Sequence, residues 1–313
     1  MIDERPLVSV AVITYNSSRY VLETLESIKA QTYHDIELII SDDCSTDNTV
    51  DICKKWVEKN KKRFADVQIL EPLCNTGTAA NCNRAIKASR GDWYKEIAGD
   101  DILMPDCIEN NLNYIRTKTE TVLLFSQMIA FRTNKDGSIE ELPFDSGLGT
   151  KAVDFTALSA REQYLALLTD NPVVSTNAPT LFAKRDLLIE YPYNEFYKYS
   201  EDVPEWIKLT KTGIHIDCMN VVTVKYRRGD TITSPSHYFY SSLLWGSKRL
   251  HFWNELEGYL KEEGLYDSYN RKRKQLLKIE LLECITKNKP TFFNKVLAIM
   301  IGKIINHVNY PKF

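Results

Sequence analysis

An α/β fold is predicted, with a Rossmann-like, mostly parallel sheet flanked by helices and a helical extension behind it. Three observations predict it. Short apolar, β-branched runs alternate with helical patterns over the first 120 residues. Such alternation implies right-handed crossovers and strands that all end at one edge. Beyond about residue 240 the strand-like runs stop and the charge balance changes sign, from a net −8 over residues 1–240 to +6 over 241–313. The expected division is therefore 1–240 and 241–313.

Taken in order, "LVSVAVI" (7–13) reads as the first strand. A helix follows with Val21, Leu25 and Ile28 on one face, which Asn16 or Ser17 can cap. "IELIIS" (36–41) is the second strand, and the next helix buries Val50, Cys53 and Val57. "VQIL" (67–70) precedes the helix "GTAANCNRAIKAS", and "DWYKEIA" (92–98) precedes a helix striped by Ile108, Leu112 and Ile115. "TVLLFSQMIAF" and "SIEEL", joined by "RTNKDG", read as a hairpin. Ser159 and Glu162 stand at capping-box spacing before "EQYLALL". "PEWIKLTKTG" reads as a helix ended by Gly213, "VVTVKYR" as a strand, and 240–309 as mostly helical.

Composition excludes several classes. A chain of 313 residues with 43% hydrophobic and 26% charged residues can bury a sizeable core. The formal charge of −2 gives no support to a nucleic-acid binder. Seven cysteines, none in a CxxC pair, read as reduced thiols in a cytosolic protein, with neither a disulfide framework nor a zinc site. The N-terminal "MIDERPLVSV" does not read as a signal peptide, and no run of about 18 apolar residues suggests a membrane span. The five histidines show no metal-ligand spacing and read as surface or packing residues.

The three expected junctions carry Thr14-Tyr15-Asn16, Asp42-Asp43 and Asp100-Asp101. Ligands of open α/β sheets bind at this edge. Adjacent carboxylates repel, and a pair that stays ionised calls for a cation. An acidic domain would repel a phosphate-bearing ligand unless a divalent ion intervenes, and oxygen ligands suit Mg2+ or Mn2+. Neither a GxxxxGK[ST] loop nor a GxGxxG fingerprint is present.

Four stretches in order, "VSVAVITYNSSRYVLETLESIKAQTYHDIELIISDDCSTDNT", "NTGTAANCNRAI", "GDWYKEIAGDDILMPD" and "SEDVPEWIKLTKTG", resemble the family 2 glycosyltransferases of the GT-A nucleotide-diphospho-sugar transferase fold. The resemblance covers roughly residues 6–230, and it implies an inverting, metal-dependent transfer from a nucleotide diphosphate sugar to a glycan or lipid-linked hydroxyl, in bacterial surface-polysaccharide assembly. It implies that Asp43 accepts the ring N–H of a uracil, thymine or guanine base, with Thr14 and Asn16 lining that pocket. A UDP-sugar is favoured. Asp100 would bond the ribose and Asp101 would hold Mn2+ or Mg2+ on the diphosphate. Asp202 would be the catalytic base. Glu201 would orient its loop or contact the acceptor, and Trp206, on the helix that follows, is counted with the substrate-binding residues. Arg228, in "KYRRGDTITS", would steady the leaving diphosphate. The family commonly has Ala-Arg-Asn where this chain has Asn81-Cys82-Asn83. Asn83 keeps the matching substrate-side position, whereas Arg84 is expected to face elsewhere on the helix.

Structural alternatives stand beside these roles. Asp42-Asp43 would make a turn that caps the next helix, although Asp47 already serves there, and Asp100-Asp101 would be a helix-start pair. Asp202 would be an N-cap, and Arg228 a solvated side chain. "EYPYNEFYKY" (190–199) is either an aromatic platform for acceptor sugars or lid packing. The C-terminal "TFFNKVLAIMIGKIINHVNY" either packs on the catalytic domain or lies on an anionic membrane, which would place the protein at the inner face of the cytoplasmic membrane. Two other functions remain as alternatives: a non-catalytic nucleotide-sugar-binding scaffold, and a sugar nucleotidyltransferase, whose Gly-rich basic loop is missing after the first strand.

Overall fold

The structure, a computed structural model, describes residues 5–134, 136, 138–142, 155–169, 176–197, 202–228, 242–287, 289 and 291–306. It divides into two compact units, residues 1–167 with 171–228, and 168–170 with 229–313. The division expected near residue 240 falls among residues outside the described set.

The first unit opens with β1 (Val8–Thr14), α1 (Val21–Lys29), β2 (Ile36–Asp42), α2 (Thr49–Asn60), β3 (Asp66–Leu70), α3 (Thr78–Ala88) and β4 (Trp93–Ala98). These follow the expected alternation. β3, β2, β1 and β4 lie side by side and parallel, with Thr14 paired to Asp42 and Ile13 to Ala98. Every residue of β2 is buried, as befits a central strand covered on both faces. Val10, Val12, Leu38 and Ile40 meet Val21, Leu25 and Ile28 of α1 in one core, which also takes in Ile108, Leu112 and Ile115 of α4 (Cys107–Thr117).

Beyond β4 the sheet becomes mixed. β5 (Ile102–Leu103), β6 (Leu123–Thr133), β7 (Ile139–Leu142), α5 (Ala160–Leu168), β8 (Phe182–Lys184), α6 (Arg185–Glu190), α7 (Asp202–Lys211) and β9 (Asp217–Arg227) complete the unit. The described strands run in the order β3-β2-β1-β4-β8-β6-β9-β5, with β7 paired to β6. β6 and β7 form the expected antiparallel hairpin. β5 and β8 had no sequence signal; at two and three residues they are too short to show a period.

Helix ends follow partly from local chemistry. The Ser159–Glu162 capping box forms, with Ser159 N–H and Oγ donating to Glu162 Oε2 at 2.8 and 2.7 Å. Gly213, at φ +96°, follows α7 directly after Thr212, a left-handed backbone that suits glycine. The expected cap on α1 is corrected: Tyr20 is the N-cap residue, and Asn16 is turned away at φ 53° to bond the β2–α2 turn.

The second unit is helical, with α8 (Ser242–His251), a π-helical turn over Phe252–Leu256, α9 (Glu257–Glu262), α10 (Tyr266–Thr286) and α11 (Phe292–Asn306). α10 and α11 pack as a hairpin through Leu282, Ala298, Ile301 and Ile305.

Candidate active site

Because β1, β2 and β4 are parallel and in register, their carboxyl ends lie together. There Thr14 Oγ1 donates to Asp42 Oδ1 at 2.8 Å, and Asp42 accepts Ser45 N–H at 2.7 Å and Ser45 Oγ at 2.6 Å. Asn16 N–H donates to Ser45 Oγ, and Asn16 Oδ1 accepts Thr46 N–H, both at 2.8 Å. Asp42 thus holds the turn. Asp47 Oδ1 accepts Thr49 N–H at 3.0 Å at the start of α2.

Asp43 has a different task. Its N–H donates to Thr14 O at 2.9 Å, and its buried carboxylate accepts Thr76 Oγ1 at 2.6 Å and Gly77 N–H at 2.7 Å. Thr76 N–H is shared between both carboxylate oxygens at 3.0 and 3.1 Å. Gly77, at φ 92°, is the N-cap residue of α3, so this carboxylate lies against the positive end of a helix. The capped helix is the one after next in the chain.

The expectation for Arg84 is corrected. Its guanidinium donates to Thr76 Oγ1 and Asn81 Oδ1, both at 2.8 Å, and lies 3.4 Å from Asp43 Oδ1. Helical side chains lean toward the N-terminus, and a long arginine follows its i−3 neighbour back to the start of α3. Asn83 goes the other way. Its Nδ2 donates to Tyr193 O at 2.8 Å and to Glu195 Oε1 at 3.0 Å, while its Oδ1 accepts Tyr193 N–H at 3.0 Å. The side chain placed at the substrate is instead spent on the 193–195 segment.

Asp100 and Asp101 follow Gly99, where a Cβ would come within 2.7 Å of Thr14 Cγ2 and 3.0 Å of Ser17 Oγ. Only a glycine lets the chain pass so near β1. Asp101 is wholly buried. Its Oδ1 accepts Arg227 N–H at 2.8 Å, and its Oδ2 has no hydrogen-bond partner among the described residues. Burial and the neighbouring charge of Asp100 push the Asp101 carboxyl well above the usual range, opposed by Arg227 and Lys95. Burial also raises Asp100, and Arg227 again pulls it back.

Arg227 was not foreseen in this role. Its Nε donates to Asp100 O at 2.7 Å, its Nη2 to Glu23 at 2.8 Å and its Nη1 to the Thr133 hydroxyl. The guanidinium lies 4.0 Å from the Tyr20 ring centre and 4.4 Å from that of Phe131. Arg228 is exposed, with its N–H on Phe131 O at 2.7 Å and its guanidinium 5.6 Å from the Tyr226 ring.

Asp202 is the first residue of α7 and is half-buried. Its charge reaches Glu96 on β4. Burial raises the Glu96 carboxyl, bonds from Cys82 and Tyr94 and the charge of Lys95 lower it, and Asp202 adds to the rise. Glu96 accepts Cys82 Sγ at 3.4 Å and Tyr94 Oη at 3.2 Å. Lys95, facing the other side of the strand, is buried with its Nζ donating to Pro179 O at 2.6 Å and Glu96 O at 2.9 Å. Two adjacent charges in an otherwise apolar strand were the available signal for this pair.

Trp206 is corrected as well. It is a core residue with no exposed surface, edge-on to Phe125 at 5.2 Å and to Tyr193 at 6.1 Å. Its position on the inner face of α7 leaves no ring surface for a substrate. In the tyrosine-rich segment Tyr193 and Tyr197 are likewise buried, and Phe196 is exposed. Glu201 lies outside the described residues.

The fit to a divalent ion can be judged from the donors present. No group of three or more His, Cys, Asp or Glu side chains among the described residues could hold a metal by itself. Asp101 Oδ2 is a buried hard oxygen left without a partner at the end of β4. That donor set fits Mg2+ or Mn2+ taking most of its ligands from phosphate and water.

Residues 9–191 match the profile described as Glycosyl transferase family 2. The chain is similar to the Bacillus subtilis putative teichuronic acid biosynthesis glycosyltransferase TuaG, 27% identical over 262 residues, 80% of this chain and 92% of that protein. It is 27% identical to an uncharacterized Haemophilus influenzae glycosyltransferase over 73% of this chain and 68% of that protein. Its similarity to Escherichia coli chondroitin synthase, 34% over 112 residues, spans 36% of this chain and 16% of that protein. Among solved structures, Staphylococcus aureus TarS 1–349 in complex with UDP-GlcNAc superposes with a TM-score of 0.57 at 19% identity, covering 78% of this chain and 65% of that one. Parallel strands ending in paired carboxylates, a profile spanning more than half the sequence and the shared architecture agree: the chain belongs to the family 2 glycosyltransferases and has their GT-A fold.

Proposed function

We propose that this glycosyltransferase moves a sugar from a nucleotide diphosphate, with a UDP-sugar favoured, to the hydroxyl of a glycan or lipid-linked acceptor, with inversion, in cell-surface polysaccharide synthesis. The carrying observation is the partnerless, buried Asp101 Oδ2 beside Asp100 at the sheet edge. TarS, similar in fold, was solved with UDP-GlcNAc and with UDP, and TuaG is named for teichuronic acid biosynthesis; both support the choice of donor and pathway class.

The roles follow from the donors at hand. A carboxylate has about four acceptor sites, and Thr76 Oγ1, Thr76 N–H, Gly77 N–H and the 3.4 Å Arg84 Nη2 contact already face that of Asp43, so the ring N–H of a base would take the place of the long Arg84 contact. Thr14 and Asn16 frame the same end of β1. Asp100 is set to accept from a ribose hydroxyl. Asp101 would hold Mn2+ or Mg2+, which when bound offsets the charge that develops on the departing diphosphate. Arg227 fixes the Asp100 carbonyl so that both carboxyls keep their aim. Asp202 accepts the proton of the acceptor hydroxyl as its oxygen bonds the anomeric carbon and the bond to the diphosphate breaks. One displacement with one base inverts the centre. The place of action is the cytoplasm, at the inner membrane face when the acceptor is lipid-linked.

Transfer and donor hydrolysis are measured with and without EDTA across a panel of nucleotide sugars. Chelation and Asp101→Ala should each abolish turnover, and Asp202→Asn should keep UDP binding while losing transfer. Undiminished activity after chelation removes the metal role, and undiminished turnover of Asp202→Asn removes the base.

A further inference from the structure

We propose that the α10–α11 hairpin is an in-plane docking surface for an anionic lipid bilayer, seated through the outer arc of α11. The inference stands apart from the transfer reaction, since it concerns the second unit alone.

α11 is apolar on two opposite sides. At about 100° per residue, Ala298, Ile301 and Ile305 fall on one arc and pack against Leu282 of α10. Phe293, Val296, Ile299, Met300 and Ile304 fall on the opposite arc, where they are 71%, 40%, 62%, 56% and 67% exposed. A helix that is apolar all round belongs in a nonpolar environment on all sides, and this one has it on half its circumference. Ile285, 56% exposed at the end of α10, extends the same apolar character to the turn.

Charge selects the occupant. Residues 286–313 contain five lysines and no aspartate or glutamate. Lys287 and Lys289 are exposed in the turn, which Asn294 Nδ2 fastens by donating to Lys289 O at 2.7 Å. Lys303 is exposed within the apolar arc itself. A second copy pairing on this face would set lysine against lysine across the contact. An anionic headgroup layer instead gives each ammonium a counter-charge while the acyl boundary takes the apolar side chains. At 15 residues the helix is about 22 Å long, short of the roughly 30 Å hydrocarbon core, so it lies along the interface. None of the described helices is long and apolar enough to cross a membrane.

The test is flotation of the full chain, without donor or acceptor, with phosphatidylcholine vesicles and with phosphatidylcholine–phosphatidylglycerol vesicles. Wild type should float with the anionic vesicles, more weakly as salt rises. The variant Phe293→Ser/Ile299→Ser/Ile304→Ser should stay at the bottom of the gradient. The variant Lys287→Gln/Lys289→Gln/Lys303→Gln should bind anionic vesicles about 5-fold more weakly for each lysine removed. Circular dichroism melts should match wild type for both variants, since the altered side chains are exposed. Wild type that ignores anionic vesicles, or an apolar-arc variant that floats as well as wild type, overturns the proposal. A concentration-dependent dimer in sedimentation velocity, lost in the serine variant while vesicles stay unbound, assigns the arc to a second copy and overturns it too.

Discussion

Replacing Arg227 with alanine should unsettle the acidic end of β4 more than any surface arginine could. The side chain is 4% exposed, so its bonds are made away from water. Its ion pair with Glu23 counts for little, because that carboxylate is 44% exposed and screened. The larger losses are the 2.7 Å bond to the Asp100 carbonyl, the bond to Thr133 and the two aromatic faces of Tyr20 and Phe131. A charge-assisted hydrogen bond contributes about 1.5–3 kcal/mol, and each desolvated cation–π contact about 0.5–2. Because these terms share one group they do not add, and a net loss of about 3–5 kcal/mol is expected. In urea titration, with a slope of about 3 kcal/mol/M, the midpoint of the first unit falls by roughly 1–1.7 M. Arg227→Lys keeps the charge without the planar fork and should recover less than half of the loss. UDP affinity in Mn2+ should fall alongside, since Asp100 is no longer held. A loss below about 1 kcal/mol, or a lysine variant equal to wild type, would refute the reasoning.

Three further outcomes are expected. Gly99→Ala drives a Cβ to 2.7 Å from Thr14 and should cost about 1–3 kcal/mol in thermal unfolding; an unchanged melt counts against the close approach. Asn83→Ala frees the 193–195 segment, so acceptor KM should rise while UDP affinity holds; the reverse pattern would return Asn83 to the donor. His215 is raised above its ordinary value, first by the Asp217 carboxylate 3.7 Å from its Nδ1 and against burial. Its stabilisation is therefore complete below an unfolded value of about 6.5 and is lost as pH rises through the folded value. His215→Gln should lower the melting temperature most at mildly acid pH and least in alkali; a constant deficit would show that charge is not involved.

The parallel half of the fold was legible because central strands spell themselves as unbroken apolar runs, as in "VSVAVI" and "IELIIS". The junction carboxylates were legible for the same reason, since topology alone brings 14, 42 and 100 to one edge. What escaped was set by side-chain reach and by tertiary cover. Arg84 was placed by its angle on the helix, which ignores how far a guanidinium extends along the axis. Trp206 stood next to a motif and was read as contact surface, whereas α7 turns it into the core against Phe125. Lys95, Glu96 and Arg227 are charged and buried, and the usual reading sends such residues to solvent. Nothing local distinguishes Arg227 from its exposed neighbour Arg228 except strand alternation.

The middle of α3 holds three different parts of the molecule from four consecutive residues. Asn81 Nδ2 donates to Thr14 O at 3.2 Å, Arg84 bonds Thr76 Oγ1 at 2.8 Å, and Asn83 bonds Tyr193 O at 2.8 Å. One inserted or deleted residue within this helix would turn everything downstream by about 100° and undo these pins at a stroke. Divergence among chains sharing this arrangement should therefore run through exchanges of residue type between Gly77 and Ala88, while changes of length are confined to the connecting segments outside it.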